Sequence, residues 1–119
     1  MAKKERILSQ PPPDETGSYP VNKARMLLAL MTALLGEVSP ALRAALIKWD
    51  NRTVHLFFFY DGKVSEEDHE SAECAATEVI ANFPHHQLKI AITRLDYPNP
   101  LPHDVGDIVY KRRESKPQG

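Results

Sequence analysis

The chain has 119 residues, of which 42% are hydrophobic and 26% are charged, a composition that suits one compact soluble domain with a single core. Its longest apolar block, Met26 to Leu35, is interrupted by Thr32 and is too short for a membrane span, which needs about 18 apolar residues. The formal net charge is −1, and the chain lacks the basic stripe with which nucleic-acid-binding proteins contact phosphates.

Residues 1–20 come first and are predicted to be a disordered leader. They hold four prolines and almost no apolar periodicity, so they cannot bury enough surface to offset the entropy of ordering. Residues 11–13 are prolines and stand where a secretory signal would need its apolar segment, and Cys74 has no second cysteine for a disulfide. Both features predict a cytoplasmic protein.

A first helix is predicted from Asn22, a good N-cap, to Leu35, with Gly36 supplying the left-handed stop. Its apolar residues recur at i, i+3, i+4 and i+7, which indicates one face toward the core. Because further apolar residues widen this stripe, we expect the helix to be deeply buried. The predicted core stripe consists of Leu27, Leu30, Met31 and Leu34, widened by Ala24, Leu28 and Leu35.

The next two segments, Leu42–Trp49 and Thr53–Tyr60, are predicted to form a β-hairpin, since the short polar turn 50–52 contains the Asx residues typical of hairpins. Alternation along the second strand places apolar side chains on both of its faces. One face holds Val54, Leu56, Phe58 and Tyr60, and the other holds His55, Phe57 and Phe59.

A second helix is predicted to begin after Ser65, whose hydroxyl caps it in a variant of the capping box with Asp68. It ends before Pro84, because the residue before a proline avoids the helical region. Its predicted core stripe consists of Ala72, Ala75, Ala76, Val79, Ile80 and Phe83.

Two more strands are predicted, Gln87–Leu95 and Val105–Lys111, joined by the stiff connection Tyr97–Pro102. The order α-β-β-α-β-β predicts an α+β fold. Hairpins joined in this way give a two-layer sandwich, in which a four-stranded, mostly antiparallel sheet carries two helices on one face. We expect this single domain to span residues 21–112, followed by a flexible tail of residues 113–119.

Little in the sequence points to catalysis, to a cofactor or to a metal. The five glycines are scattered and form no phosphate-binding loop. His85 and His86 are adjacent, so in a strand they point to opposite faces, and no HxH or HxxxH spacing occurs. Cys74 lies among glutamates, whose charge disfavours a reactive thiolate. We therefore predict no catalytic residue, cofactor or metal site, and a small enzyme is a third-ranked alternative.

Residues 61–82 carry seven acidic side chains and one basic side chain, a balance of −6 in a nearly neutral chain. Two interpretations stay open. Acids near a helix N-terminus are favoured by the macrodipole whatever the function, whereas an acidic surface also suits docking of a basic partner. The candidate partner-binding acids are Asp61, Glu66, Glu67, Glu70 and Glu73.

The aromatic run 57–60 is the second candidate surface. With both helices on one face of the sheet, alternate members of this run must look toward the other face, where exposed aromatics commonly mark an interface. The connection Tyr97–Pro102 could equally cover them. The candidate partner-binding aromatic residues are Phe57, Phe59 and Tyr97.

Four short motifs carry a resemblance to a known class of proteins. They are Leu42-Arg43-Ala44, Phe58-Phe59-Tyr60-Asp61-Gly62, Glu78-Val79-Ile80-Ala81-Asn82-Phe83 and Leu95-Asp96-Tyr97-Pro98. Across residues 26–112 the chain resembles the small cytoplasmic immunity proteins of contact-dependent growth inhibition and other polymorphic toxin systems in bacteria. This resemblance implies a stoichiometric inhibitor that binds the C-terminal domain of a toxin, often a nuclease, and it implies no catalytic residues.

The sequence and the resemblance together predict an immunity protein that binds and neutralises a cognate toxin domain, with no nucleic-acid or membrane partner. An acidic surface fits this function, because a basic nuclease would be attracted to it. The alternative is a homodimeric structural or adaptor protein that uses the aromatic sheet face.

Overall fold

A computed structural model describes residues 21–115. The predicted leader and the last four residues of the predicted tail therefore lie outside the described residues. The predicted element order α-β-β-α-β-β is confirmed. The elements are α1 (Lys23–Ala33), β1 (Leu42–Trp49), β2 (Thr53–Tyr60), α2 (Glu66–Ala81), β3 (Gln87–Arg94) and β4 (Asp107–Lys111).

The four strands form one mixed sheet in the order β3-β2-β1-β4. β1 pairs antiparallel with both β2 and β4, whereas β2 and β3 are parallel. The expectation of a sheet built from hairpins therefore holds for β1 and β2 only. The reason is the 16-residue helix α2, about 24 Å long, which carries the chain back along the sheet so that β3 starts at the same end as β2.

The β1–β2 hairpin is set by its turn. The Asp50 carboxylate accepts hydrogen bonds from the backbone N–H groups of Arg52 at 2.7 Å and Thr53 at 2.8 Å. These two bonds hold the pKa of Asp50 below its ordinary value. The bounds predicted for β1 and β2 are confirmed at both ends.

The predicted cap of α1 is confirmed, but its predicted core stripe is partly wrong. The Asn22 side chain accepts a hydrogen bond from the Arg25 N–H at 3.2 Å. Met31 is 53% exposed, and the helix turns a neighbouring stripe toward the core. Apolar residues surround most of α1, so the pattern alone did not determine which face packs. The buried residues of this segment are Met26, Ala29, Leu30, Ala33 and Leu34.

The predicted second helix is confirmed at its cap and in its core stripe. The Ser65 hydroxyl accepts a hydrogen bond from the Asp68 N–H at 3.0 Å. The Tyr60 hydroxyl donates to the Asp68 carbonyl at 3.3 Å and so ties β2 to the first turn of α2. Burial raises the pKa of Tyr60 to about 12. The stripe residues are buried except for the half-buried Ile80; the buried ones are Ala72, Ala75, Ala76, Val79 and Phe83.

The sheet has a different cover on each face. Both helices pack on one face, where their apolar residues form the main core with alternate residues of β1 and β2. The opposite face carries a smaller cluster around Ala44, Leu46 and Phe59. Leu101 and Val105, from the segment between β3 and β4, pack against this cluster. That segment, residues 95–106, is called the covering loop below.

Candidate partner-binding surfaces

The outer face of α2 carries four of the predicted acids. Glu66, Glu67, Glu70 and Glu73 are exposed and line one shallow concavity together with His69. Within residues 21–115 none of the four forms an ion pair. Glu66 and Glu67 lie in the first turn, where the helix macrodipole favours acids. This face therefore presents negative charge that the described part of the protein leaves uncompensated.

Asp61, the fifth predicted acid, is directed elsewhere. Its carboxylate accepts hydrogen bonds from the Tyr97 N–H and from the Arg112 guanidinium, both at 3.1 Å. The pKa of Asp61 lies below its ordinary value, because the bond from Arg112, and to a smaller extent the bond from Tyr97, stabilises the ionised carboxylate. The structure thus separates Asp61 from the α2 acids and places it in an internal network.

That network is centred on Arg43, which is 2% exposed. Its guanidinium donates to both oxygens of Glu114, at 2.7 and 3.0 Å, and to the Leu95 carbonyl at 2.7 Å. It also lies 5.6 Å from the centre of the Tyr97 ring, within the range of a cation–π contact. Arg112 donates to Glu114 at 3.0 Å as well as to Asp61. We call the set Arg43, Asp61, Arg112 and Glu114 the Arg43 clamp.

A β-bulge directs Arg43 to this position. Leu42 is opposite Tyr60 and Ala44 is opposite Phe59, so Arg43 is an extra residue without a direct partner on β2. Strict alternation would put Leu42 and Ala44 on the same face. Instead Leu42 belongs to the helix-side core and Ala44 to the loop-side cluster, and Arg43 contacts the loop side. The sequence signal was present, since an arginine within an apolar strand has to find a partner.

The predicted aromatic residues lie on the loop side of the sheet. Phe59 is buried at 8% exposure, and Phe57 is half-buried against the same cluster. Tyr97 is half-buried beside Arg43, and its hydroxyl donates to the Ser115 carbonyl. The sequence left open whether this face is exposed or covered by the connection after β3, and the structure shows that it is covered. A homodimer through these aromatics therefore has little accessible apolar surface to use.

The outer face of α1 carries apolar residues that the sequence had assigned to the core. Leu28 is 59% exposed, Met31 is 53% exposed and Leu35, just after the helix, is 76% exposed. Between the two helices lies a concavity whose lining includes Phe83, with the Arg25 guanidinium 5.1 Å from its ring centre. The other lining residues are Leu28, Ala29, Thr32, Glu78 and Asn82.

Cysteine and histidine side chains are the remaining groups that could take part in catalysis or metal binding. Cys74 is exposed on α2. His86 is buried, and this burial lowers its pKa. Within residues 21–115, no three histidine, cysteine or carboxylate side chains converge on a point where they could hold a metal ion. Neither described helix combines the length and the apolar character needed to cross a bilayer.

One protein family matches most of this chain. The model of the MafI2 immunity protein family matches residues 23–114. The matched range begins with the first residue of α1, includes every described helix and strand, and ends at Glu114 of the Arg43 clamp. No curated protein matches the chain.

Proposed function

Because the chain belongs to the MafI2 immunity protein family, we propose that it binds a cognate toxin domain and neutralises it by stoichiometric protein–protein inhibition. The toxin domain we expect is a nuclease, and the encounter takes place in the cytoplasm. The protein itself performs no catalysis in this proposal. Its contribution is a rigid surface that occupies the active site of the toxin or a surface next to it.

The acidic face of α2 is the observation that carries the proposal. Its four glutamates, Glu66, Glu67, Glu70 and Glu73, share one exposed surface on a 16-residue helix. The core stripe fixes that helix against the sheet, so the charges are held in place before the partner arrives. A nuclease binds a polyanion and presents a basic surface, and opposite charges accelerate association of two proteins at low salt.

A pair of charge reversals tests this surface. Glu70→Lys with Glu73→Lys changes two exposed positions beyond the first turn of α2, so the helix cap and its macrodipole contacts stay intact. At low salt we expect the association rate with the toxin domain encoded beside the gene to fall roughly tenfold or more. The decrease should shrink as salt rises, because exposed charges are screened. Stopped-flow or biosensor kinetics at two ionic strengths measures both effects.

The matched control changes the net charge by the same amount elsewhere. Asp104→Lys with Asp107→Lys alters one exposed residue in the covering loop and one at the start of β4. It should leave the association rate within about threefold, because it moves no charge on the α2 face. Equal decreases in the two double variants would show that only net charge matters. An unchanged rate in both at low salt would remove the acidic face from the mechanism.

A further inference from the structure

We propose that the exposed stripe Leu28, Met31 and Leu35 is the apolar centre of the interface with the toxin. Its occupant is an apolar segment of the toxin that carries lysine or arginine on the side facing α2. This inference rests on the proposed function and deepens it, since it specifies the chemistry of the toxin surface that is recognised.

The stripe is not needed for the protein's own core. Leu28 and Met31 are three positions apart and share one face of α1, and Leu35 follows in the turn after the helix. The opposite face already buries Met26 and Leu30 completely. Three large, exposed apolar side chains within eight residues are more than the scattered apolar residues of an ordinary surface, and such patches commonly mark interaction sites.

The stripe also has a shaped recess beside it. Leu28 lines the concavity between the helices, and the small residues Ala29 and Thr32 line it as well. Phe83, itself buried, contributes to this lining. Arg25 is held over that ring and donates to the Asn82 carbonyl at 3.3 Å. The recess therefore offers apolar contact for an inserted side chain next to the stripe.

Acidic residues continue this surface along α2. Glu78 lines the recess and also the neighbouring concavity around Cys74. Glu70 and Glu73 line that second concavity and the acidic concavity described above. The outer surface of the helices thus runs without interruption from an apolar stripe to an acidic margin. A partner that covers it must bring apolar side chains to α1 and positive charge to α2, as a basic toxin domain would.

The two halves of this surface should act on different rate constants. Charges at the margin of an interface mainly change the association rate, because they act at long range. Buried apolar anchors act only after contact and mainly change the dissociation rate. The apolar stripe and the acidic face can therefore be separated by kinetics even though they belong to one interface.

The test is Leu28→Gln with Met31→Gln in the full chain, with binding to the toxin domain measured kinetically. Glutamine is a good helix former, and both positions are exposed, so folding should be unaffected and the melting temperature unchanged. We expect the dissociation rate to rise about 100-fold, as for the loss of two anchor residues. The association rate and its salt dependence should change by less than about threefold.

The matched control is Ile90→Thr with Ile108→Thr, which removes two exposed apolar side chains from strands at the sheet edges. Threonine suits strands, and dissociation of the complex should stay at the wild-type rate. If the wild type neutralises the toxin but the Leu28/Met31 variant dissociates from it no faster than the wild type does, this inference is wrong and the proposed function stands. If the wild type does not bind the toxin, the proposed function and this inference both fail.

Light scattering of the free protein adds a further check on the occupant. A wild-type dimer that becomes a monomer in the Leu28/Met31 variant would overturn the inference, because the stripe would then be covered by a second copy of the chain. A monomeric mass for both proteins, together with faster dissociation of the toxin, supports it.

Discussion

The two sides of the sheet use their acidic residues in opposite ways. On the helix side, Glu70 and Glu73 point outward and form no ion pair within residues 21–115. On the loop side, Glu114 and Asp61 are held by arginines, and both carboxyl pKa values lie below the ordinary value because of these contacts. Acidic residues of one chain therefore serve two purposes. Those on the loop side fix the structure, whereas those on the helix side remain available to a partner.

The same contrast holds for apolar residues. Phe59 on the loop side is closed off by the covering loop, while Leu28 and Met31 on the helix side are more than half exposed. If this division is correct, substitutions on the loop side should lower stability with little direct effect on binding. Substitutions on the outer helix surface should do the reverse.

The largest loss of stability is expected from Arg43→Ala. It removes hydrogen bonds to Glu114 and to the Leu95 carbonyl from a site that is 2% exposed. Breaking a buried ion pair by removing one partner costs about 3–5 kcal/mol. Chemical denaturation measures the change. The control is Arg94→Ala, whose ion pair with Asp96 is exposed to solvent, so its loss should change stability far less than the loss of Arg43 does. Similar losses in both variants would contradict a special role for the clamp.

A smaller loss is expected from Phe59→Ala. The ring is 8% exposed beneath the covering loop, and removing it leaves a cavity in a small cluster. The free energy of unfolding should fall by about 3 kcal/mol. Leu28→Ala is the matched variant on the other side, and it should change stability by no more than about 0.5 kcal/mol because the residue is 59% exposed. Thermal or urea unfolding of both variants would show whether the loop side is packed and the helix side is free.

The smallest of the three expected losses of stability is that of Glu114→Gln, and this loss depends on pH. Arg43 holds the pKa of Glu114 below its ordinary value, so the ionised carboxylate stabilises the folded state. This stabilisation is complete above the unfolded pKa of about 4.3 and is lost as the pH falls through the lower folded pKa. At pH 7 the substitution should cost about 2 kcal/mol, within the range for a hydrogen bond to a charged group.

The pH dependence provides the sharper readout for this residue. The wild type should lose its greater stability relative to Glu114→Gln as the pH falls through the lowered folded pKa of Glu114, since both side chains are uncharged once the carboxyl is protonated. Unfolding curves of the two proteins between neutral and acid pH measure the difference. A constant gap across that range would show that Glu114 acts through packing and not through its charge.

Several features could be predicted from the sequence because they depend on near neighbours. Asn22 and Ser65 cap their helices through bonds to residues three positions on, and Asp50 orders its turn through residues two and three positions on. The two extended runs on either side of the polar turn 50–52 gave the bounds of β1 and β2. The acidic face of α2 followed from the same reasoning, since an amphipathic helix with a clear core stripe leaves only one face for its charges.

The remaining features depended on contacts between distant residues. Alternation did not reveal that β3 runs parallel to β2, because the pattern of a strand is the same in either direction. The face that α1 turns to the core was undetermined, because apolar residues surround it and packing against α2 and the sheet makes the choice. Because of the way α1 packs, Leu28, Met31 and Leu35 remain exposed to solvent.

The sequence by itself determined the elements, their order, their caps and the concentration of acid on α2, because each is fixed by side chains within a few positions of one another. The tertiary structure decided which acids and which apolar residues remain exposed. Asp61 is withdrawn from the acidic surface by Arg112, 51 positions away, and Arg43 meets Glu114 across 71 positions. Such pairs form only when the bulge in β1, the covering loop and β4 come together, and no local pattern specifies that arrangement.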